Sequence, residues 1–259
     1  MEKALKNVKK NIVRMAFEAQ ASHVGSALSC ADILWAIYTR AANITRRNLK
    51  SLDRDKVVLS KGHASAALYA VLAELKLINP KLLDKYYIDG GVLPGHLDYM
   101  VSPAIDATAG SLGHGASIGV GMALANPDRK VFVVMGDGET NEGSVWEAAL
   151  FAGTHNLSNL IFIIDENELM IYGDSKSIMD NTNIAARFHS CRFEAFEVYG
   201  HDIETLAKAL NKPSMKPKAI IAHTLKGKDV SFMENKAEWH GRKPTREEYL
   251  KAVKEIDNA

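Results

Sequence analysis

The runs VFVVM at 131–135 and LIFII at 160–164 contain no polar side chain, and each is only five residues long. A strand with one wet face alternates apolar and polar residues. A strand that is apolar throughout has to be covered on both faces, which parallel sheets achieve by packing helices on each side. The segment between the two runs, GSVWEAALFAGTHN at 143–156, has helical apolar spacing and suits the crossover that parallel strands require. The alternation runs along most of the chain. After two N-terminal helices come strand KVVLS, helix GHASAALYAVLAEL, a loop-rich stretch at 79–109, a helix from about Leu112 to about Ala125, and strand KVFVVMGD. Beyond LIFIIDE follow a loop at 167–183, helix IAARFHS, strand FEAFEVY, helix IETLAKALN and strand KAIIAHT, then an irregular loop at 227–244 and a closing helix at 246–257. The pattern predicts an α/β fold, a parallel sheet with helices on both faces, in which ligands bind at the C-terminal edge of the strands.

That edge carries a distinctive pair of residues. The run VFVVM ends in Gly-Asp-Gly, so Asp137 leaves its strand between Gly136 and Gly138, and LIFIIDE ends at Asn167, thirty positions later. Thirty positions equal one helix and one returning strand, which sets both side chains at the ends of adjacent strands. A carboxylate oxygen of Asp137, the amide oxygen of Asn167 and a backbone carbonyl near Leu169 are hard donors suited to Mg²⁺, with diphosphate oxygens and water completing an octahedron. The glycines permit a sharp turn and close approach of backbone to phosphate. A helix beginning near Asn141 would present N–H groups to the anion. Gly-Asp-Gly alone also describes many surface turns; the following strand that delivers an amide separates this chain from them.

The Gly-Asp-Gly followed by helix, strand and Asn resembles the thiamine diphosphate motif of transketolase-like enzymes, and other segments match that family in the same order. ASHVGSALSCADILWAIY carries His23, VVLSKGHASAALYAVL carries His63, LPGHLD carries His96, AGSLGHGASIGVGMALA is a glycine-rich lead into a small-residue helix, and AEWHG carries His240. The resemblance covers residues 8–241. It departs at Ser22-His23-Val24, where the family usually has Gly-His-Pro, and at Asp229, where it often has glycine. It implies a thiamine diphosphate-binding fold with residues 1–259 as one diphosphate-binding domain, Mg²⁺ held by Asp137, Asn167 and Leu169, and cofactor contacts from His63, Gly110, Ser111, Leu112, Asp137, Gly138, Asn167 and His240. His23 and His240 would serve substrate hydroxyl or carbonyl groups and proton transfer, and His96 the donor's terminal hydroxyl. Glu142 matches a glutamate at the subunit interface that links paired sites; it has a second reading as an acidic residue favouring a helix's first turn. The implied reaction moves a two-carbon glycolaldehyde unit from a ketose to an aldose. The family's pyrimidine-binding domain, which supplies a glutamate to the aminopyrimidine, is expected on a partner chain together with the C-terminal domain, as α2β2. Alternatives sharing the metal motif are a subunit of a 2-oxo acid dehydrogenase or of a deoxyxylulose phosphate synthase-like enzyme, and a non-catalytic cofactor-binding subunit. Pentose phosphates, sulfonated sugars and branched sugars all stay open as substrates.

A formal net charge of +1 over 259 residues gives no electrostatic reason to expect nucleic acid or an anionic membrane as partner. Lys6, Lys9 and Lys10 read as the solvated face of an amphipathic first helix whose apolar stripe is Leu5, Val8, Ile12, Met15 and Phe17. No apolar run approaches a membrane span, and the first helix has no signal-peptide pattern. Cys30 and Cys191 form no framework and fit a reducing, cytoplasmic setting without a catalytic role. His155, His189, His201 and His223 sit in ordinary surroundings, and His114 is expected to pack beside the cofactor loop.

Overall fold

The computed structural model describes residues 2–179 and 182–259. In chain order it contains α1 (Lys3–Glu18), α2 (Val24–Ala36), β1 (Lys56–Leu59), α3 (Ser65–Glu74), α4 (His114–Ala125) and β2 (Val131–Gly136). Then come α5 (Gly143–Thr154), β3 (Leu160–Glu166), a small hairpin of β4 (Leu169–Met170) and β5 (Gly173–Asp174), and α6 (Ser175–Ile178). The chain closes with α7 (Ile184–Ser190), β6 (Glu194–Tyr199), α8 (Ile203–Asn211), β7 (Lys218–His223) and α9 (Arg246–Asn258). The main sheet has the order β1-β2-β3-β7-β6, and every pair in it is parallel.

The apolar strands bury both faces. Phe132, Val134, Ile161, Ile163 and Ile220 point into a core shared with α1, α2, α3, α8 and α9. Their neighbours Val131, Val133, Met135, Phe162, Ile164 and Ile221 point into a second core with α4, α5 and α7. Successive side chains on a strand alternate faces, so an uninterrupted apolar run feeds two cores at once. Helix α2 is buried along its whole length, which is why its sequence lacks a polar stripe.

Register places the site. Gly136 pairs with Asp165 across β2 and β3. Asp137 and Asn167 therefore leave adjacent strands at the same sheet edge, as the spacing predicts. The α-helix after Gly-Asp-Gly begins at Gly143, two residues past Asn141, because residues Gly138–Asn141 wind into a 3₁₀ turn first. The loop predicted at 167–183 holds the β4–β5 hairpin and α6, and its residues 180 and 181 lie outside the described residues.

One surface assignment is corrected. Lys9 is 1% exposed, and its ammonium lies 2.8 Å from Asp32 and 2.6 Å from Asp229. Lys6 and Lys10 do flank the outer side, reaching the carbonyl and carboxylate of Asp257 on α9 at 2.8 and 2.7 Å. Two carboxylates from α2 and from the loop before α9 draw Lys9 inward, a pull that helical periodicity in α1 does not encode.

Candidate active site

The C-terminal edge of the sheet opens into a cleft of about 340 Å³. One wall is built for an anion and a cation. Asp137, 4% exposed, accepts from the Gly138 N–H at 2.9 Å and from Ser175 Oγ at 3.3 Å. Burial pushes its carboxyl up to about 6, against the Gly138 hydrogen bond, and the nearby Asp165 adds to the rise. A positive charge placed there would reverse that shift. Asn167 Oδ1 accepts the Leu169 N–H at 3.1 Å, and the Leu169 carbonyl accepts from Lys226 Nζ at 3.3 Å. Asn167, Leu169 and Asp137 all line the cleft.

The facing wall is histidine. The ring of His23 lies 5.3 Å from His63, 6.1 Å from His96 and 4.9 Å from His240, and His63 lies 5.2 Å from His240. Four segments distant in sequence meet here. His23 sits at φ 70°, just ahead of α2, and its N–H donates to the His240 carbonyl at 2.9 Å. Proline at the next position would bias His23 toward extended backbone; Val24 leaves the left-handed turn open. His63 occupies a 3₁₀ turn between β1 and α3, and His240 ends a 3₁₀ turn in the returning loop. Burial, reinforced by neighbouring cationic groups, lowers His23 to about 4 and His240 to about 3, and holds His63 well below its ordinary range. These three imidazoles are thus neutral at physiological pH. Lys226 Nζ meets His240 Nδ1 at 3.1 Å. A protonated Lys226 can only donate, which assigns the His240 proton to Nε2.

Beneath both walls lie residues that motif reading passed over. Glu139, the residue after Gly-Asp-Gly, is buried; it accepts from the Gly113 N–H at 2.8 Å, the Gly136 N–H at 3.1 Å and the Ser60 hydroxyl. One carboxylate thereby ties the ends of β1 and β2 to the 110–113 loop. Lys61, 2% exposed, pairs with Asp165. Burial is the largest single influence and opposes its charge, yet Asp165, with Cys30 and Asp137 adding to it, raises the Lys61 ammonium above its ordinary value. Lys226, lowered to about 8 by burial and by Lys61, is a second cation in the cleft. Their signal was present in SKGH and LKGK, a lysine beside a glycine next to each matched segment.

The remaining predicted residues divide. Gly110, Leu112, Gly138 and Glu142 line the cleft; Ser111 is exposed and is not among the lining residues. Glu142 is the N-cap of α5 and makes no side-chain cap hydrogen bond, so its favourable effect at the helix start is that of a negative charge beside the N-terminus. His114 is exposed at the start of α4 instead of packed beside the loop. His201 is buried against Asp32 at 2.9 Å, away from the cleft. Asp229, at the family's glycine position, holds φ 69° and keeps its side chain because the carboxylate pairs with Lys9 and Lys228. Cys30 is fully buried and its thiol is pushed up to about 12, which leaves it inert. No described helix is long and apolar enough to cross a membrane.

The donor set fits a divalent cation bound together with a diphosphate. Asp137 is the one carboxylate among the three candidate ligands, so a dication held by them keeps excess positive charge that an anionic partner neutralises. Asn141 lines the same cleft, and its buried Nδ2 has no hydrogen-bond partner among the described residues, a donor suited to an acceptor-rich ligand.

Comparison with known proteins agrees with this geometry. Residues 2–256 match the family "Transketolase, thiamine diphosphate binding domain". An apulose-4-phosphate transketolase subunit of Phocaeicola vulgatus is 38% identical over 96% of this chain and 90% of its own length. A 6-deoxy-6-sulfo-D-fructose transketolase subunit of Clostridium sp. is 37% identical over 91% of this chain and 88% of its own. Among solved structures, transketolase of Pichia stipitis in complex with sedoheptulose-7-phosphate superposes with a TM-score of 0.91 at 27% identity, covering 98% of this chain. This chain spans 40% of that transketolase.

Proposed function

Because the chain belongs to the transketolase family and carries its thiamine diphosphate-binding domain, we propose that it is the N-terminal subunit of a two-chain transketolase, transferring a two-carbon glycolaldehyde unit from a ketose to an aldose with thiamine diphosphate and Mg²⁺. The observation that carries this reading is the convergence of four histidines opposite Asp137, Asn167 and the Leu169 carbonyl. Asp137, Asn167 and Leu169 would hold Mg²⁺; Gly110, Ser111, Leu112, Gly138, His63 and Lys226 would meet the cofactor. When bound, thiamine diphosphate supplies a carbon nucleophile able to carry the two-carbon unit.

The histidines do the rest of the proton chemistry. A neutral ring offers one donor and one acceptor, matched to polyhydroxylated sugars. His240 would donate from Nε2 while Lys226 holds its Nδ1, and His23, 4.9 Å away ring to ring, would take or return the proton of a substrate hydroxyl. His96 would contact the donor's terminal hydroxyl, and Glu142 the partner at an interface. The relatives are named as subunits and matched over 88–90% of their lengths, which supports a partner chain; in this reading the partner bears the pyrimidine-binding and C-terminal domains and the assembly is α2β2. The sugars those relatives are named for, apulose 4-phosphate and 6-deoxy-6-sulfo-D-fructose, stand beside pentose phosphates as donors.

The test is coupled transketolase activity of this chain alone and mixed with its co-expressed partner, with Mg²⁺, thiamine diphosphate and each donor class. Activity confined to the mixture and lost in Asp137→Ala supports the reading. Turnover of none of the donors by the mixture, despite metal-dependent cofactor binding, would overturn the assigned transfer.

A further inference from the structure

Asn167 would serve a cation through its amide oxygen only if that oxygen, and not the amide nitrogen, faces the cleft. An amide can sit either way round, and nothing in its own shape decides between the two. The decision comes from below. Asn167 Nδ2 donates to Ser29 Oγ at 3.1 Å, and Ser29 Oγ donates to Asp165 Oδ1 at 2.7 Å. The same Oδ1 accepts from Thr224 Oγ1 at 2.5 Å, while Oδ2 is paired with the Lys61 ammonium.

Charge gives this chain of bonds a direction. Lys61 has only donors, and the Asp165 carboxylate beside it has only acceptors. Ser29 Oγ also lies 3.1 Å from Thr224 Oγ1; whether its single proton goes to Asp165 directly or to Thr224, which donates to the same Oδ1, it runs toward the carboxylate, and the lone pairs Ser29 turns to Asn167 accept only the NH₂ group. The Asn167 oxygen is left on the other side, where it takes the Leu169 N–H at 3.1 Å and borders the cleft. The residue type at position 29 carries a further sign. It lies inside α2 and is fully buried, where alanine would be the better helix former. A serine in mid-helix commonly bonds back to its own helix; this one bonds across to β3 instead.

We propose that Ser29 is a positioning residue that transmits the polarity of the Lys61–Asp165 ion pair to Asn167 and so fixes the amide with its oxygen toward the metal–diphosphate site. The inference rests on the proposed role of Asn167 as a metal ligand, and the experiment separates the two. In the metal-free, ¹⁵N-labelled full chain, the Asn167 side-chain NH₂ signals, assigned by their loss in Asn167→Asp, exchange slowly with solvent. In Ser29→Ala exchange accelerates at least about tenfold, whereas Thr224→Val, which removes a hydroxyl that touches Asp165 and Ser29 but not Asn167, changes it less than about twofold because Ser29 keeps its contacts to Asp165 and Asn167. Mn²⁺ binding in the presence of thiamine diphosphate, read by electron paramagnetic resonance, weakens about 10-fold or more in Ser29→Ala, the usual size for a group that orients a metal ligand. Fast exchange in the unmodified chain, or no acceleration in Ser29→Ala, overturns the polarity relay whatever the metal does. Absence of Mn²⁺ binding in the unmodified chain mixed with its co-expressed partner, or undiminished binding in Asp137→Ala in the same mixture, overturns the metal-site reading and leaves the exchange result to judge Ser29.

Discussion

Two of the buried ionic clusters among the described residues, one around Lys9 and one around Lys61, differ in where their hydrogen bonds end. The first joins Lys9 to Asp32 and Asp229, with His201 Nδ1 on Asp32 at 2.9 Å and His201 Nε2 accepting the Leu225 N–H at 2.8 Å. Every charge in it is met by another member, and the cluster pins α1 and α2 to the loop that carries His240. The second joins Lys61 to Asp165, with Ser29 and Thr224. Its outer end is Asn167, at the cleft. Both lysines are almost without exposed surface, 1% and 2%, so burial of charge does not by itself mark a functional group. A cluster closed on itself is architecture; a cluster that passes its polarity to a cleft residue can orient chemistry.

The largest expected effects break the two clusters one at a time. Lys9→Met leaves Asp229 to Lys228 and Asp32 to His201, Lys61→Met leaves Asp165 to hydroxyl donors alone, and each change breaks a buried ion pair at an expected cost of about 3–5 kcal/mol of stability, measured by urea unfolding. Cofactor binding distinguishes them. The folded fraction of Lys9→Met retains metal-dependent thiamine diphosphate affinity, whereas Lys61→Met loses it at least tenfold. Equal affinity in the two variants would erase the distinction.

A smaller effect follows from pH. His23 and His240 have folded values near 4 and 3, below the unfolded value near 6.5. The unfolded chain then binds more protons than the folded one below pH 6.5, so stability contributed by neutral packing is full above 6.5 and is lost as pH falls toward 4. Asp137, raised to about 6, acts in the opposite sense from pH 6 to 4. Allowing for partial solvent access to the rings, His23→Gln with His240→Gln should shrink the fall in Tm between pH 7 and 5 by about 2–4 °C. An unchanged fall would show that the histidine wall does not drive the acid sensitivity.

The smallest effect concerns Asp229. Asp229→Gly relieves a left-handed backbone, worth up to about 1 kcal/mol, and removes one of the two carboxylates on Lys9. Because Asp32 still holds the ammonium, the net loss should be only about 1–2 kcal/mol, less than for Lys9→Met, with cofactor affinity unchanged. A net gain in stability would mean that the closed cluster needs only one acid.

Legibility follows the range of the interactions involved. The buried parallel strands, the pairing of Asp137 with Asn167 and the choice of four histidines from nine were readable, since each rests on a short pattern: an apolar run, a glycine-flanked carboxylate, a histidine beside small residues. Lys9 was misread because its partners lie 23 and 220 positions away. Glu139 was overlooked although it lies two residues after Asp137, since its value comes from the backbone N–H of Gly113, which only folding brings within 2.8 Å.

By itself, then, the sequence determined the α/β architecture, the sheet edge that bears the site and the residue types available there. Those follow from local periodicity and from covalent order along the strands. Which way an amide faces, which lysine is buried, and which carboxylate ties two strand ends to a loop were decided only by the tertiary structure. They depend on a hydrogen bond finding its partner in three dimensions, and an unpaired polar group in a dry interior is too costly for the chain to leave that pairing to chance.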